Sequence, residues 1–165
     1  MITNSKARIS KDVANKKIIV LRQFDAPVDQ VWKAWTESNL LDQWWAPKPW
    51  RAETKTMDFR EGGMWLYCMV GPEGERHWAR VDYQAIDARK RYTAVDSFCD
   101  EQGNKSGDMP SMHWQNDFSQ TDTVTTVTIE ISFSDQSDMD KILEMGFEEG
   151  FASGLNNLDA LLVLS

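Results

Sequence analysis

Hydrophobic and polar residues alternate with a period of two through the middle of this chain, whereas one segment near each end follows a helical period. The segment KIIVLRQF, residues 17–24, is rich in β-branched residues and predicts a first strand. In the next segment four apolar residues have the spacing of one helical face: Val28, Val31, Trp32 and Trp35. A second short helix, NLLDQWW, must end at the two prolines of APKP. The pattern therefore predicts one strand followed by two short helices.

Further strands, about six, are predicted after Trp50, because apolar and polar residues alternate there between turn sequences. They are RAETKTMDF, MWLYCMV, RHWARVDYQAI, RYTAVDSF, SMHWQNDF and TVTTVTIEISF. The last segment, residues 138–164, places its apolar residues and three glycines on one stripe, so we predict one long helix with one apolar face. This helix is the only predicted element long enough to cover the apolar face of the sheet.

The order of these elements predicts an α+β fold. Its antiparallel strands form one curved sheet of about six to seven strands, and the helices are grouped on one side of that sheet. We assign residues 17–165 to a single domain, since a chain of 165 residues can bury a sizeable core in one unit. Residues 1–16 mix charged and polar residues without a period, and we expect them to form a loose arm.

The turn GPEG sets the register of the hairpin between MWLYCMV and RHWARVDYQAI. Its residues suit a type I turn closed by a left-handed glycine bulge at Gly74, which places Tyr67 opposite Ala79. Alternation then puts one set of residues on the inward face: Trp65, Tyr67, Met69, His77, Ala79, Val81 and Tyr83. A two-residue turn would reverse this assignment.

Charge and composition narrow the classes of partner. The chain has 18 Lys and Arg and 26 Asp and Glu, a net charge of −8, and such a charge repels nucleic acid and anionic membranes. We find neither a leader sequence nor an apolar run long enough for a membrane span, so we expect a soluble, cytoplasmic protein. The two cysteines, Cys68 and Cys99, are too few for a disulfide framework and lack the spacing of a zinc or redox site.

Three segments together resemble a known family. FDAPVDQVWKAWTESNLLDQWWAP, MDFREGGMWLYCMVGPEG and the closing EEGFASGLNNLDALL look like the family of homologues of the heat-shock protein 90 ATPase activator, in the START-like or Bet v-like (SRPBCC) superfamily. The resemblance runs from about residue 17 to residue 162. It implies a helix-grip fold, in which a curved antiparallel sheet wraps around a long C-terminal helix and often encloses an apolar cavity. Many members of the superfamily bind lipids, hormones or polyketides there, and some are cyclases or hydrolases.

Five of the eight tryptophans lie between residues 32 and 50. We interpret Trp32 and Trp35 as part of a minor core where the two short helices close one end of the sheet. Trp44 and Trp45 are consecutive and project about 100° apart on a helix, so one packs inward while the other meets the cavity mouth or a partner. The pattern does not decide which of the two faces the cavity.

Gly146, Gly150 and Gly154 form a groove along the buried stripe of the predicted helix, although each glycine costs about 1 kcal/mol relative to alanine. Either the sheet approaches the helix closely at these positions, or the absent side chains leave room for a ligand. The two interpretations can hold along different turns.

Candidates for catalysis are few. The chain has two histidines, and it contains no serine-hydrolase elbow, zinc-binding HExxH or phosphate-binding glycine loop. His77 lies on the predicted inward face, and Asp96 points inward by alternation with its neighbours in the strand. A carboxylate that orients an imidazole would form a general base inside an apolar pocket. Alternatively, His77 is half solvated at the hairpin end, and Asp96 makes a buried hydrogen bond.

The leading hypothesis is a non-catalytic domain that binds an apolar or aromatic small molecule between sheet and helix. The candidate ligand-binding residues are Trp45, Trp65, Tyr67, Met69, His77, Tyr83, Phe98, Trp114, Phe147 and Phe151. One alternative is a chaperone-regulating protein-interaction module with an indole patch at Trp44, Trp45 and Trp50. Another is a cyclase or hydrolase-type enzyme that uses His77 and Asp96. We expect no cofactor and no metal, and either a monomer or a homodimer.

Overall fold

The computed structural model describes residues 7–163, which form one antiparallel sheet of eight strands and four helices. The strands are β1 (Arg8–Asp12), β2 (Lys17–Phe24), β3 (Arg51–Met57), β4 (Met64–Val70), β5 (Arg76–Asp87), β6 (Arg91–Cys99), β7 (Met112–Thr121) and β8 (Val124–Ser132). The helices are α1 (Val28–Thr36), α2 (Ser38–Trp44), α3 (Gln136–Glu144) and α4 (Phe147–Val163). The spatial order of the strands is β1-β2-β8-β7-β6-β5-β4-β3.

The predicted α+β class and the antiparallel sheet are confirmed, and the two short helices follow β2 as expected. The strand β2 pairs with β8, so the N-terminal strands β1 and β2 extend the sheet beyond its last strand in chain order. Bulges interrupt the register between Thr54 and Thr56 and between Tyr83 and Ile86. Bulges of this kind bend the strand that carries them, so the long strand β5 can curve around the helices.

The sheet has eight strands, one more than the upper end of the predicted six to seven, because part of the expected loose arm is a strand. Residues 8–12 form β1, which pairs with β2 from Arg8 opposite Leu21 to Asp12 opposite Lys17. Its sequence, RISKD, has one apolar residue in five, so alternation gives no signal for an edge strand of this kind. The first six residues of the predicted arm lie outside the described residues.

The register predicted for the β4–β5 hairpin is confirmed. Tyr67 pairs with Ala79, and Gly74 has φ of +86° with its N–H donating to the Gly71 carbonyl at 3.1 Å. That geometry is a type I turn followed by a left-handed glycine. Trp65, Tyr67 and Tyr83 are consequently buried on the inner face of the sheet.

The predicted C-terminal helix is confirmed for Phe147–Val163, but its expected continuity from residue 138 is wrong, because the helix is interrupted at Gly146. This residue has φ of +86° and its N–H donates to the Leu143 carbonyl at 3.1 Å, which ends α3 before α4 begins at Phe147. A left-handed glycine is a common way to end a helix. The apolar stripe continues across the break because both helices place residues such as Ile142 and Phe151 in the same core.

Helix α4 is held against the sheet by a buried arginine as well as by apolar contacts. Arg22 on β2 is 1% exposed, and its Nη1 donates to Asn156 Oδ1 at 2.8 Å while its Nη2 lies 3.6 Å from Asp159 Oδ2. Burial lowers the pKa of this guanidinium and the charge of Asp159 opposes that effect. The guanidinium also lies over the ring of Phe24, so the charged group has an aromatic partner in addition to its polar ones.

The glycines of α4 have two different roles. A Cβ at Gly154 would lie 3.1 Å from the Trp45 carbonyl oxygen and 3.3 Å from that of Trp44, so the end of α2 packs directly on the backbone of α4. A Cβ at Gly150 would meet only Pro47 Cγ, at 3.8 Å. Close approach therefore explains Gly154, where the neighbour is α2 and not the sheet, whereas Gly150 leaves space.

We expect Gly150→Ala to raise the free energy of unfolding above that of the wild type. Gly154→Ala should be less stable than Gly150→Ala. Both substitutions gain up to about 1 kcal/mol of helix propensity. Only the second must displace the backbone of α2, and overpacking of this kind costs about 1–3 kcal/mol. Urea denaturation of both variants beside the wild type measures the difference. Equal stabilities would contradict the close contact between α4 and α2.

Candidate functional site

A cavity of about 230 Å³ lies between the inner face of strands β4–β7 and the helical segments that cover them. Its floor comes from the strands, and its cover comes from the C-terminal end of α2, from α3 and from the first turn of α4. One water molecule needs about 10–15 Å³ of such space. The interior is therefore not fully packed, and the space exceeds what a few isolated waters require.

Consecutive tryptophans at the end of α2 point to different places. Trp44 has no exposed surface, and its Nε1 donates to the Ala34 carbonyl at 2.8 Å within the core. Trp45 lines the cavity, and its Nε1 donates to the Tyr67 hydroxyl at 2.9 Å. The question left open by the sequence is thus decided: Trp45 faces the cavity, and Trp44 packs in the core.

The aromatic rings around the cavity contact one another in tilted, edge-to-face and stacked arrangements. The Trp45 ring lies 5.8 Å from that of Trp114 and 6.0 Å from that of Phe151, and Trp114 lies 5.4 Å from Phe151. Phe147 stacks on Phe151 at 5.5 Å. Contacts of this kind add stability beyond burial and fix the position of each ring. The wall is consequently a connected set of rings contributed by α2, β7 and α4.

Most of the residues predicted to bind a ligand line this cavity. From the strands these are Tyr67, Met69, His77, Phe98 and Trp114, and from the helical segments they are Trp45, Phe147 and Phe151. Trp65 and Tyr83 do not line it. They border a smaller space of about 20 Å³ further along the sheet, where Trp65 stacks on Tyr67 at 4.0 Å and Tyr83 contacts Phe59 at 4.7 Å.

Several lining residues were not predicted. Alternation with Trp114 places Met112 on the inner face, and the helical stripe includes Ile142, so the sequence carried signals for both. Met145 lies at the break between α3 and α4, and Pro47 lies in the segment after α2. No pattern in the sequence indicates these two positions, because they depend on where the helical segments pack against the sheet.

Asp96 is a buried carboxyl on the wall of the cavity. It is 7% exposed, and it makes no salt bridge or side-chain hydrogen bond to another side chain within residues 7–163. Burial raises the pKa of this carboxyl to about 7, and the like charge of Asp82 adds to the rise, whereas the backbone N–H of Ser97 opposes it. A carboxyl with such a pKa changes its charge near neutral pH.

Two buried polar atoms of β7 lack a hydrogen-bond partner within the described residues. The Trp114 Nε1 donor and the Asn116 Oδ1 acceptor have no hydrogen-bond partner among the described residues, and the two residues are 6% and 1% exposed. Both residues border the smaller space that Asp96 also lines. Buried polar atoms are normally paired, so this end of the cavity offers unused hydrogen-bonding capacity.

His77 and Asp96 line the same cavity but do not form the predicted pair. His77 is exposed at the hairpin end, and its ring lies 5.5 Å from that of Trp50. Within residues 7–163 no hydrogen bond connects His77 with Asp96. The alternative in which His77 is solvated at the hairpin end therefore describes its position, and the arrangement lacks an oriented imidazole base.

The cysteines do not form a disulfide, and the described residues show no metal site. Cys68 and Cys99 are free thiols, and burial raises the pKa of each. The part of the chain that the structure describes has no group of three or more His, Cys, Asp or Glu residues arranged for a metal ion. Among the described helices, none combines the length and the apolar character that crossing a bilayer requires.

Comparisons with known proteins agree with this geometry. The family model described as activator of Hsp90 ATPase homolog 1-like protein matches residues 25–163. A solved structure from Arthrobacter aurescens is 30% identical over 96% of this chain and 92% of that one, with a TM-score of 0.90. One from Staphylococcus epidermidis is 31% identical over 94% and 93%, with a TM-score of 0.83. One from Mycobacterium smegmatis is 28% identical over 94% and 95%, with a TM-score of 0.87. The comparison with curated proteins finds no match.

Proposed function

The chain belongs to the family of activator of Hsp90 ATPase homolog 1-like proteins, in the START-like (SRPBCC) superfamily, and we propose that it binds a small, mostly apolar molecule between its sheet and its helices. The observation that carries this proposal is the cavity of about 230 Å³ with aromatic walls and one buried carboxyl. Small-molecule sites are typically concave and apolar, with a few polar groups that orient the ligand.

The energetics of the cavity support an occupant. Atoms that line an empty apolar space lose dispersion contacts on one side, so such a space lowers the stability of the fold. Three methionines, Met69, Met112 and Met145, lie on the wall. Their flexible side chains adapt to the shape of a bound molecule. A ligand would restore the missing contacts without a change in the fold.

The exposed surface gives less support to a protein-interaction role through the tryptophans. Trp44 is fully buried, and Trp50 is half-buried beside His77. Large exposed apolar side chains within residues 7–163 are limited to Val13, Met145 and Val163, which lie apart in the sequence. An interaction patch normally presents apolar side chains together, so the cavity is the better candidate for recognition.

Filling the cavity tests this function. We expect Gly150→Leu to abolish binding, because a side chain at this position projects into open space toward Pro47 and would displace a ligand. Leucine has a high helix propensity, so α4 should remain helical. Native mass spectrometry of the protein purified from its own host detects a retained small molecule. Binding of added 2-phenylethanol, followed by isothermal titration calorimetry, gives a second readout.

The matched control is Gly107→Leu, since Gly107 lies in an exposed loop with no atom near its Cβ position. This control should bind as the wild type does, and thermal unfolding confirms that both variants fold. Binding by folded Gly150→Leu at wild-type affinity would contradict a site in this cavity. So would a wild-type protein that carries no molecule and binds no probe.

A further inference from the structure

We propose that the ligand is an organic monocation, a protonated amine with an apolar or aromatic body, whose charged group is held by the Asp96 carboxylate among the aromatic rings of the cavity. This inference rests on the proposed function and specifies its ligand class. The arguments are the charge of the wall, the aromatic rings around that charge and the apolar residues of the remaining wall.

Within residues 7–163, no Lys or Arg side chain forms an ion pair with the Asp96 carboxyl on the cavity wall. Arg80 and Lys105 pair instead with Asp82, on the strand next to that of Asp96, at 2.6 Å from Oδ1 and 3.8 Å from Oδ2 respectively. The negative charge of Asp82 also acts on Asp96, where it disfavours ionisation of the carboxyl. A buried carboxylate needs a cation or several hydrogen-bond donors. Within the described residues no Lys or Arg lines the cavity, so the ligand is the remaining source of positive charge.

The aromatic rings complement a cation in the same space. Trp45, Tyr67 and Trp114 line the cavity together with Asp96. An ammonium within about 6 Å of a ring centroid is attracted by the negative face of the ring, most strongly by tryptophan, and the attraction grows when water is excluded. Rings and carboxylate therefore favour the same charge, whereas an anionic ligand would meet both as repulsive partners.

The rest of the wall fits an apolar body. Phe147 and Phe151 on α4 and Met112 on β7 face the cavity, and the lining residues of α3 and α4 carry no ionisable group. The net charge of −8 also attracts cations from solution and disfavours anions. An amine joined to a ring or a short hydrocarbon chain would bury its body against α4 and direct its charge toward the sheet.

The charge state of Asp96 makes the inference testable by pH. The titratable groups around it are Tyr67 on β4, His77, Asp82 and Tyr83 on β5, and Tyr92 and Cys99 on β6. Burial raises the pKa of the three tyrosines, so they stay neutral near pH 7. The Asp96 carboxyl, with a pKa of about 7, is mostly protonated at pH 5.5 and mostly ionised at pH 8. A ligand cation should bind only to the ionised form.

Three probes of similar size separate the contributions: 2-phenylethylammonium, the neutral 2-phenylethanol and the anionic 3-phenylpropionate. At pH 8 we expect the ammonium probe to bind about tenfold more tightly than the alcohol, the equivalent of one favourable charge pair of about 1.4 kcal/mol. The anion should bind most weakly. Lowering the pH to 5.5 should weaken binding of the ammonium probe about tenfold or more and leave the alcohol unchanged.

Asp96→Asn should remove the advantage of the ammonium probe and its pH dependence while the alcohol still binds. The control Asp122→Asn makes the same substitution at an exposed turn residue with φ of +56°, and it should bind all probes as the wild type does. If the alcohol binds the wild type at pH 8 as tightly as the ammonium probe, the cation inference is wrong and the cavity proposal stands. If no probe binds, the cavity proposal fails as well.

Discussion

Replacing Trp44 by alanine is expected to lower the free energy of unfolding by about 3–5 kcal/mol, the range typical of a buried tryptophan. Its side chain has no exposed surface, and its ring contacts those of Trp35 and Trp45 at 4.9 and 5.2 Å. The substitution also leaves the Ala34 carbonyl without the indole donor at 2.8 Å. Urea denaturation followed by far-ultraviolet circular dichroism measures the loss.

The neighbouring residue provides the matched control. Trp45→Ala should lose less stability than Trp44→Ala, because Trp45 borders the existing cavity and its removal enlarges that space instead of creating a new one. Trp45→Ala should also weaken the binding of 2-phenylethanol, whereas Trp44→Phe should leave that binding unchanged. Trp44→Phe also keeps most of the buried ring, so it gives a measurable value if the alanine variant does not fold. Equal losses for the two alanine variants would contradict the assignment of Trp44 to the core and Trp45 to the cavity.

Asp96→Asn is expected to raise the free energy of unfolding at pH 8 by up to about 4 kcal/mol and to change it little at pH 4. Burial raises the pKa of the folded carboxyl from 3.8 to about 7, and each pKa unit corresponds to about 1.36 kcal/mol. Between these two values the folded chain keeps a proton that the unfolded chain loses. The stability of the wild type therefore falls as pH rises from about 4 to about 7, and asparagine removes this dependence.

The difference between variant and wild type is the quantity to measure, since other groups titrate too. Hydrogen bonds lower the pKa of the exposed carboxyls Asp12, Asp100, Asp108 and Asp135, and these groups act mainly at more acid pH. Urea denaturation of the ligand-free protein at several pH values gives the two curves, with Asp122→Asn as the control. Parallel curves for Asp96→Asn and the wild type would contradict a carboxyl that is buried and uncompensated.

A carboxyl that destabilises the folded protein at neutral pH is informative about function. Asparagine has nearly the same shape, and it would occupy the position without a buried charge. The residue that lowers stability lies on the wall of the cavity, beside the unpartnered Trp114 Nε1. Perturbed ionisable groups cluster at functional sites, so the stability measurement and the binding measurement examine the same residue independently.

Part of the candidate site could be predicted from the sequence. Alternation along β4 and β5 placed Tyr67 and Met69 on the inner face because the turn residue Gly74 determines the register locally. Trp65 and Tyr83 were assigned to the site by the same rule, yet they border a different, smaller space. Alternation shows which face of a sheet a residue occupies, but the covering helices decide which part of that face stays open.

The sequence by itself determined the class of fold, the inward face of the central hairpin and the family, because these depend on local turns, on periodicity and on motifs that follow one another in order. The tertiary structure alone decided that Trp45 and not Trp44 faces the cavity, and that no cation of residues 7–163 pairs with Asp96 there. Each of these depends on which groups from distant segments come into contact, and no local pattern encodes the position of such a partner.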